Sequence, residues 1–212
     1  MNVLLHTCCG PCASACVPRL KAEGHDVTLL FANSNINTRA EYERRLAAAR
    51  RLAAADGVAL VALPYDHARW CEQVAVGFED EPEQGARCAR CFRYNLAEAA
   101  EYAKANGFDA FTTSLTVSPH KVSDVVFAAT DDPAFLPENF KKREGFKTST
   151  RRSAELGLYR QDYCGCEFSF FGALVRKYDA YVSTYRGADG TLPEMMQLKR
   201  THTAFVLDNA RR

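Results

Sequence analysis

Four short apolar runs, each followed by a stretch of helical character, constrain the fold of this chain more than any other feature. They cover residues 3–6, 27–31, 58–63 and 108–112. The second carries no charged residue, as a parallel strand covered on both faces requires. Helices are predicted from the turn at 7–12 to about residue 23, over 39–55, 91–106 and 121–129, with a short one at 68–76 and another at 168–181. Pro18 falls inside the first and predicts a kink there. Residues 79–84 are acidic, contain Pro82 and form a loop. Strands alternating with helices imply an α/β fold with a parallel sheet. Residues 131–161 and those after Arg186 show no decisive period. Without internal repeats or a low-complexity linker, the simplest organisation is one catalytic domain over 1–185 and a C-terminal extension over 186–212.

Hydrophobic residues make up 47% of the 212 and charged ones 25%, which supplies a core of ordinary size. The apolar runs are too short to cross a bilayer, and the first residues lack the basic start of a signal peptide. A cytoplasmic location and no membrane partner are expected. A net charge of +1 does not point to nucleic acid, but its distribution is uneven. Seven Lys or Arg and two Glu lie between Lys141 and Arg160. This segment reads either as a phosphate-binding face or as a solvated loop and helix.

Nine cysteines are the anomaly. The odd number and the expected reducing compartment argue against a disulfide scaffold and for metal ligation or thiol redox chemistry. Cys8, Cys9 and Cys12 crowd a tight turn shaped by Gly10 and Pro11 after the first strand, where α/β folds place ligand sites. Cys88 and Cys91, with two residues between them, stand at the start of a long helix, whose N-terminus favours thiolates. Cys8, Cys9, Cys88 and Cys91 together supply four thiolates, which suit structural zinc and a cubane iron–sulfur cluster equally. Cys164-Gly165-Cys166 precedes the last predicted helix. A disulfide across so short a span is strained and readily reduced, which suits a working dithiol; a further pair of metal ligands is the alternative. Cys16 and Cys71 are expected to pack in the core. His6 ends the first strand, able to bond a thiolate or merely to terminate the strand. Ser118-Pro119-His120-Lys121 follows the fourth, where His120 can move a proton and Lys121 can meet a phosphate.

The segments 5–12 (Leu-His-Thr-Cys-Cys-Gly-Pro-Cys), 88–92 (Cys-Ala-Arg-Cys-Phe) and 159–166 (Tyr-Arg-Gln-Asp-Tyr-Cys-Gly-Cys) together resemble the QueH family of epoxyqueuosine reductases. Residues 113–121 and the Glu144-Gly145-Phe146 stretch are similar to that family as well, so the resemblance runs from about residue 3 to 178. The chain departs from it at His120, where the family carries Tyr. The resemblance implies a three-layer parallel α/β core like that of the nucleotide alpha hydrolase-like (PP-loop-like) group. The phosphate loop is replaced here by the cysteine turn, so ATP binding is not expected. It implies an oxidoreductase that removes the epoxide oxygen of epoxyqueuosine at the tRNA wobble position, the last step of queuosine formation. It further implies a [4Fe-4S] cluster on Cys8, Cys9, Cys88 and Cys91, a mononuclear iron near it with Cys12 as a ligand, and a redox-active pair at Cys164 and Cys166.

The expected partners are tRNA carrying epoxyqueuosine and an external electron donor. From charge alone, Lys121, Lys141, Lys142, Arg143, Lys147, Arg151 and Arg152 are the expected phosphate contacts. Two other functions fit the same residues. One is an iron–sulfur thiol or heterodisulfide reductase that does not act on RNA; the other is a zinc-bearing RNA-binding module.

Overall fold

The computed structural model describes residues 1–210, with side chains as far as residue 206. Its elements run β1 (Asn2–His6), α1 (Gly10–Ala22), β2 (Asp26–Phe31), α2 (Arg39–Asp56), β3 (Ala59–Ala62), α3 (His67–Trp70) continuing as a π turn (Cys71–Ala75), and α4 (Ala86–Ala105). Then follow β4 (Ala110–Thr113), a 3₁₀ turn (Ser114–Val117), α5 (Ser123–Phe127), α6 (Gly145–Glu155), α7 (Glu167–Ser183) and α8 (Glu194–Ala210). The chain divides into two compact units, residues 1–160 and those from 161 onward. The catalytic domain expected over 1–185 therefore takes in the start of the second unit.

In the first unit the strands form one parallel sheet in the order β3-β2-β1-β4. Alternation along the central strand splits the core in two. Leu5 and Leu29 face one side with Ala13, Val17 and Leu20 of α1 and Leu52 of α2. Leu4 and Leu30 face the other with Phe92, Leu96 and Ala99 of α4 and Val126 of α5. Helices thus cover both faces of the sheet, which is the three-layer α/β arrangement expected. Gly10 opens α1 against α2: a Cβ there would lie 2.8 Å from the Ala48 carbonyl, so the close approach of these two helices needs glycine at this position.

Pro18 does sit inside α1. Proline has no N–H, so the carbonyl four residues earlier, that of Ser14, loses its helical donor. The Arg152 guanidinium of α6 donates to that carbonyl and also grips Asp56 at the end of α2 at 2.6 and 3.2 Å. Ser149, one turn earlier on α6, donates to the Pro11 carbonyl at 2.7 Å. The basic stretch therefore contains a helix docked along α1. Arg152 is turned inward and holds three helices together. Tyr159 ties the following segment to α2 by donating to Glu41 at 3.1 Å.

The second unit holds α7 and α8. Asp179 of α7 pairs with Arg200 of α8 at 2.9 Å, and Asp189 shapes the connection by accepting from the N–H and hydroxyl of Thr191. α8 lies where the sequence showed no pattern.

Breaking a paired charge network of this kind costs about 3 kcal/mol where burial is nearly complete. Arg152 and Asp56 are only partly shielded, so Arg152→Ala is expected to cost about 2 kcal/mol in denaturant unfolding. A surface phosphate contact would leave the unfolding midpoint unchanged.

Candidate metal and thiol site

The carboxyl ends of β1, β2 and β4 meet around the turn that leads into α1. Cys9 is the N-cap of α1, and its sulfur accepts from the Cys12 N–H at 3.4 Å. Cys8 Sγ lies 4.0 Å from Cys9 Sγ. The Cys8 N–H donates to the Ser114 hydroxyl at 3.0 Å, and that hydroxyl lies 3.3 Å from Cys8 Sγ. Thr7 is fixed by bonds to β2 and the loop after it: its N–H donates to the Leu30 carbonyl, and its own carbonyl accepts from Asn33.

His6 is fully buried between the strands. Its Nε2 lies 3.2 Å from the Ala32 carbonyl and its Nδ1 2.9 Å from the Thr113 hydroxyl. A carbonyl only accepts, so the proton resides on Nε2. Burial pushes the imidazole down to about 4, leaving it neutral. It ties β1 to β4 and to the residue after β2.

The sulfurs of Cys8, Cys9 and Cys12 all lie within 4.8 Å of one another. Thiolates around a single tetrahedral ion at about 2.3 Å would be spaced by roughly 3.8 Å, so the trio can hold a metal ion with little movement. The electrostatics agree. The hydrogen bond from Cys12 favours ionisation of Cys8, but the neighbouring Cys9 and burial outweigh it and push Cys8 up to about 12. Cys12 is driven well above the ordinary thiol range by Cys8 first, then by Cys9 and burial. Sulfurs this crowded ionise together far more readily with a cation among them. Lys121 supplies part of that charge, since its ammonium favours the Cys8 thiolate and disfavours protonated His6.

Cys88 and Cys91 lie within the first two turns of α4, which begins at Ala86, five residues before the expected start. Cys88 accepts from the Gln84 N–H at 3.2 Å, and Cys91 from the Asn95 amide at 3.8 Å. Asn95 also reaches Asn35 in the loop after β2 at 3.4 Å. Cys88 and Cys8 border the same core cluster, although α4's two cysteines stand outside the tight trio. In the second unit Gly165 separates Cys164 and Cys166 with φ of +141°, a conformation that favours glycine. The Cys164 N–H donates to Ser169 at 2.7 Å, and Cys166 caps α7.

His120 and Lys142 are exposed, as are Arg143, Lys147 and Arg151, which pair with Glu23, Glu144 and Glu155. Lys141 is half-buried and donates to the Lys121 carbonyl. Cys16 packs in the core as expected. Cys71 is half-buried with its sulfur 3.4 Å from His67 Nε2, a pairing that the four-residue spacing on one helix face makes available.

Residues 3–171 match the family model described as epoxyqueuosine reductase QueH. The chain belongs to this family. A Streptococcus pyogenes serotype M1 epoxyqueuosine reductase QueH is 33% identical over 98% of this chain and 78% of that protein. The relative of the same name from Histophilus somni (strain 129Pt) is 35% identical over 79% of this chain and 72% of its own length. Among solved structures, an NH3-dependent NAD synthetase from Campylobacter jejuni shows a distant likeness, with 12% identity, coverage of 96% and 85%, and a TM-score of 0.47. Among the described residues no helix is long and apolar enough to cross a membrane.

In this QueH chain Ser114 is the group that joins the cysteine turn to β4. Ser114→Ala would leave the half-buried Cys8 N–H without its acceptor, at a cost of about 1 kcal/mol. Chemical denaturation of the metal-free protein should show that loss, whereas Ser118→Ala, in the half-exposed loop beyond, should be close to neutral.

Proposed function

We propose that this protein reduces epoxyqueuosine at the tRNA wobble position to queuosine. The observation that carries the reading is the convergence of Cys8, Cys9 and Cys12 at the carboxyl end of β1 in a chain of the QueH family. In this reading Cys8, Cys9, Cys88 and Cys91 hold a [4Fe-4S] cluster, and Cys12 ligates a mononuclear iron. When bound, these groups supply single-electron transfer and a Lewis acid for the departing oxygen.

The remaining chemistry belongs to the chain. Removing an epoxide oxygen as water, with an alkene left behind, consumes two electrons and two protons. Oxidation of the Cys164–Cys166 dithiol to a disulfide releases two electrons and two protons, so the pair balances one turnover. An external donor then reduces it again. Ser114 and Asn95 aim hydrogen bonds at Cys8 and Cys91 and fix those sulfurs, and Lys121 offsets the negative charge that thiolates bring to the turn. His120, exposed beyond β4, delivers a proton to the leaving oxygen. Lys121, Lys141, Lys142, Arg143, Lys147 and Arg151 meet phosphates, and the protein works in the cytoplasm, where its thiols stay reduced. The catalytic domain of this reading is residues 1–185.

Protein purified without oxygen should be brown, with broad absorption near ~400 nm and about four or more irons with four sulfides per chain. Cys88→Ser and Cys91→Ser should lose that chromophore. Cys164→Ala should keep it but bring conversion of epoxyqueuosine in tRNA, followed by mass spectrometry of the nucleosides, to background. A colourless protein with about one zinc would instead favour an RNA-binding module, and reduction of small disulfides without action on tRNA would favour a thiol reductase. Replacing Lys142, Arg143, Lys147 and Arg151 together by Ala should weaken tRNA binding and flatten its dependence on salt; unchanged binding would remove these residues from the interface.

A further inference from the structure

Much of the charge in the 141–152 segment is already answered by acids. Arg143, Lys147 and Arg151 pair with Glu23, Glu144 and Glu155, and Arg152 with Asp56. A second cluster of cations lies elsewhere on the surface. A groove of about 340 Å³ runs along α4, lined by Arg69, Arg90, Arg93, Tyr94, Glu98 and Glu101 among others. That volume is at the lower end of ordinary ligand sites, roughly 300–1,000 Å³.

The positions of these residues follow from the period of the helix. At about 100° per residue, Arg90, Arg93, Ala97 and Glu101 share one flank of α4, about a third of a turn from Cys91 and nearly half a turn from Cys88. Ala97 has no side chain beyond Cβ, which leaves room for the groove. Arg90 and Arg93 lie toward its N-terminal end, while Glu101 lies roughly 12 Å further along the axis from Arg93. Arg90 is held ready: its guanidinium donates to the Gln73 carbonyl at 2.6 Å and lies 4.4 Å over the Phe78 ring. Arg69 leans over the Tyr94 ring. Arg93 is exposed and has no ion pair among the described residues.

We propose that this groove binds backbone phosphate of the RNA strand that carries the reacting base. The proposal rests on the RNA-modifying function argued above. Planar guanidinium groups match phosphate oxygens in pairs, and a site on the flank of the turns bearing Cys88 and Cys91 holds the strand while its base is free to reach the sulfur side. Phosphate contacts of this kind position without reading sequence.

The test is binding of a fluorescent anticodon stem-loop RNA to the anaerobically purified holoprotein over a range of salt concentrations. Arg93→Ala should weaken binding several-fold at low salt and reduce the slope of log K against log salt by about 0.7, the value for one single-strand phosphate contact. Glu101→Gln should tighten binding. If wild-type protein binds the RNA with the usual salt dependence but both variants match it, the groove is not an RNA site. If Arg93→Ala leaves RNA binding intact but slows reduction of the protein by its electron donor, the groove docks an acidic reductant and the proposal is overturned. If the wild-type protein shows no salt-dependent RNA binding, the functional reading itself fails and takes the groove with it.

Discussion

The turn between β1 and α1 is held by groups from strands on either side of it, and the site depends on that. β1 lies inside a parallel sheet, so its carboxyl end is flanked by those of β2 and β4. From β2 and the residues after it come the Leu30 and Ala32 carbonyls and the Asn33 amide; from β4 and its 3₁₀ turn come the hydroxyls of Thr113 and Ser114. These bonds, buried around His6 and Thr7 and half-buried around Cys8, hold the turn before any ligand arrives. The neutral His6 serves the same end, since a charged imidazole at its position would lack a counterion and loosen the strands it joins.

A similar logic explains α6. Proline in α1 removes one donor, and the fold repairs the loss with a side chain far along the sequence. Arg152 answers the orphaned Ser14 carbonyl and the Asp56 carboxylate at once, and Ser149 reaches the Pro11 carbonyl beside it. Gly145 permits the start of α6 to sit against the Phe140 carbonyl, where any Cβ would collide. These contacts place the N-terminal half of α1, which bears Cys12, between α2 and α6.

The sheet and most of its helices were legible because apolar runs and helical stretches report on burial directly. Residues 3–6, 27–31 and 58–63 all lie in strands within one or two residues of the expected bounds, and Pro18 falls inside its helix. The start of α4 was missed because Ala86 to Arg90 expose no apolar stripe of their own; Phe92, Leu96 and Ala99 supply it only later. α6 was hidden for a different reason. Its sequence is dominated by charges and hydroxyls, and its buried face is Gly145, Ser149 and Ser153, which bond to α1 more than they repel water. A run of basic residues therefore looked like a ligand surface when one of its members is an internal brace. The cysteine groups were legible as chemistry from spacing alone, but spacing could not say that Cys12 would lie in the tight trio with Cys8 and Cys9, because that depends on Cys9 capping α1.

The trio also links assembly of the site to protons. Crowding and burial keep Cys8 and Cys12 as thiols in the metal-free turn, so each sulfur that becomes a ligand must first give up a proton. The bond between thiolate and metal must therefore outweigh both that ionisation and the repulsion among neighbouring sulfurs. Lys121 lowers the cost from one side, and the Ser114 hydroxyl, 3.3 Å from Cys8 Sγ, lowers it from another by stabilising negative charge on that sulfur. Neither group is a cysteine, and neither lies near the cysteines in sequence. Both are carried by the segment that follows β4, whose place beside β1 is set by the pairing of Val3 with Ala110 through His6 with Thr113. The register of two strands thus decides how readily the turn can accept a metal.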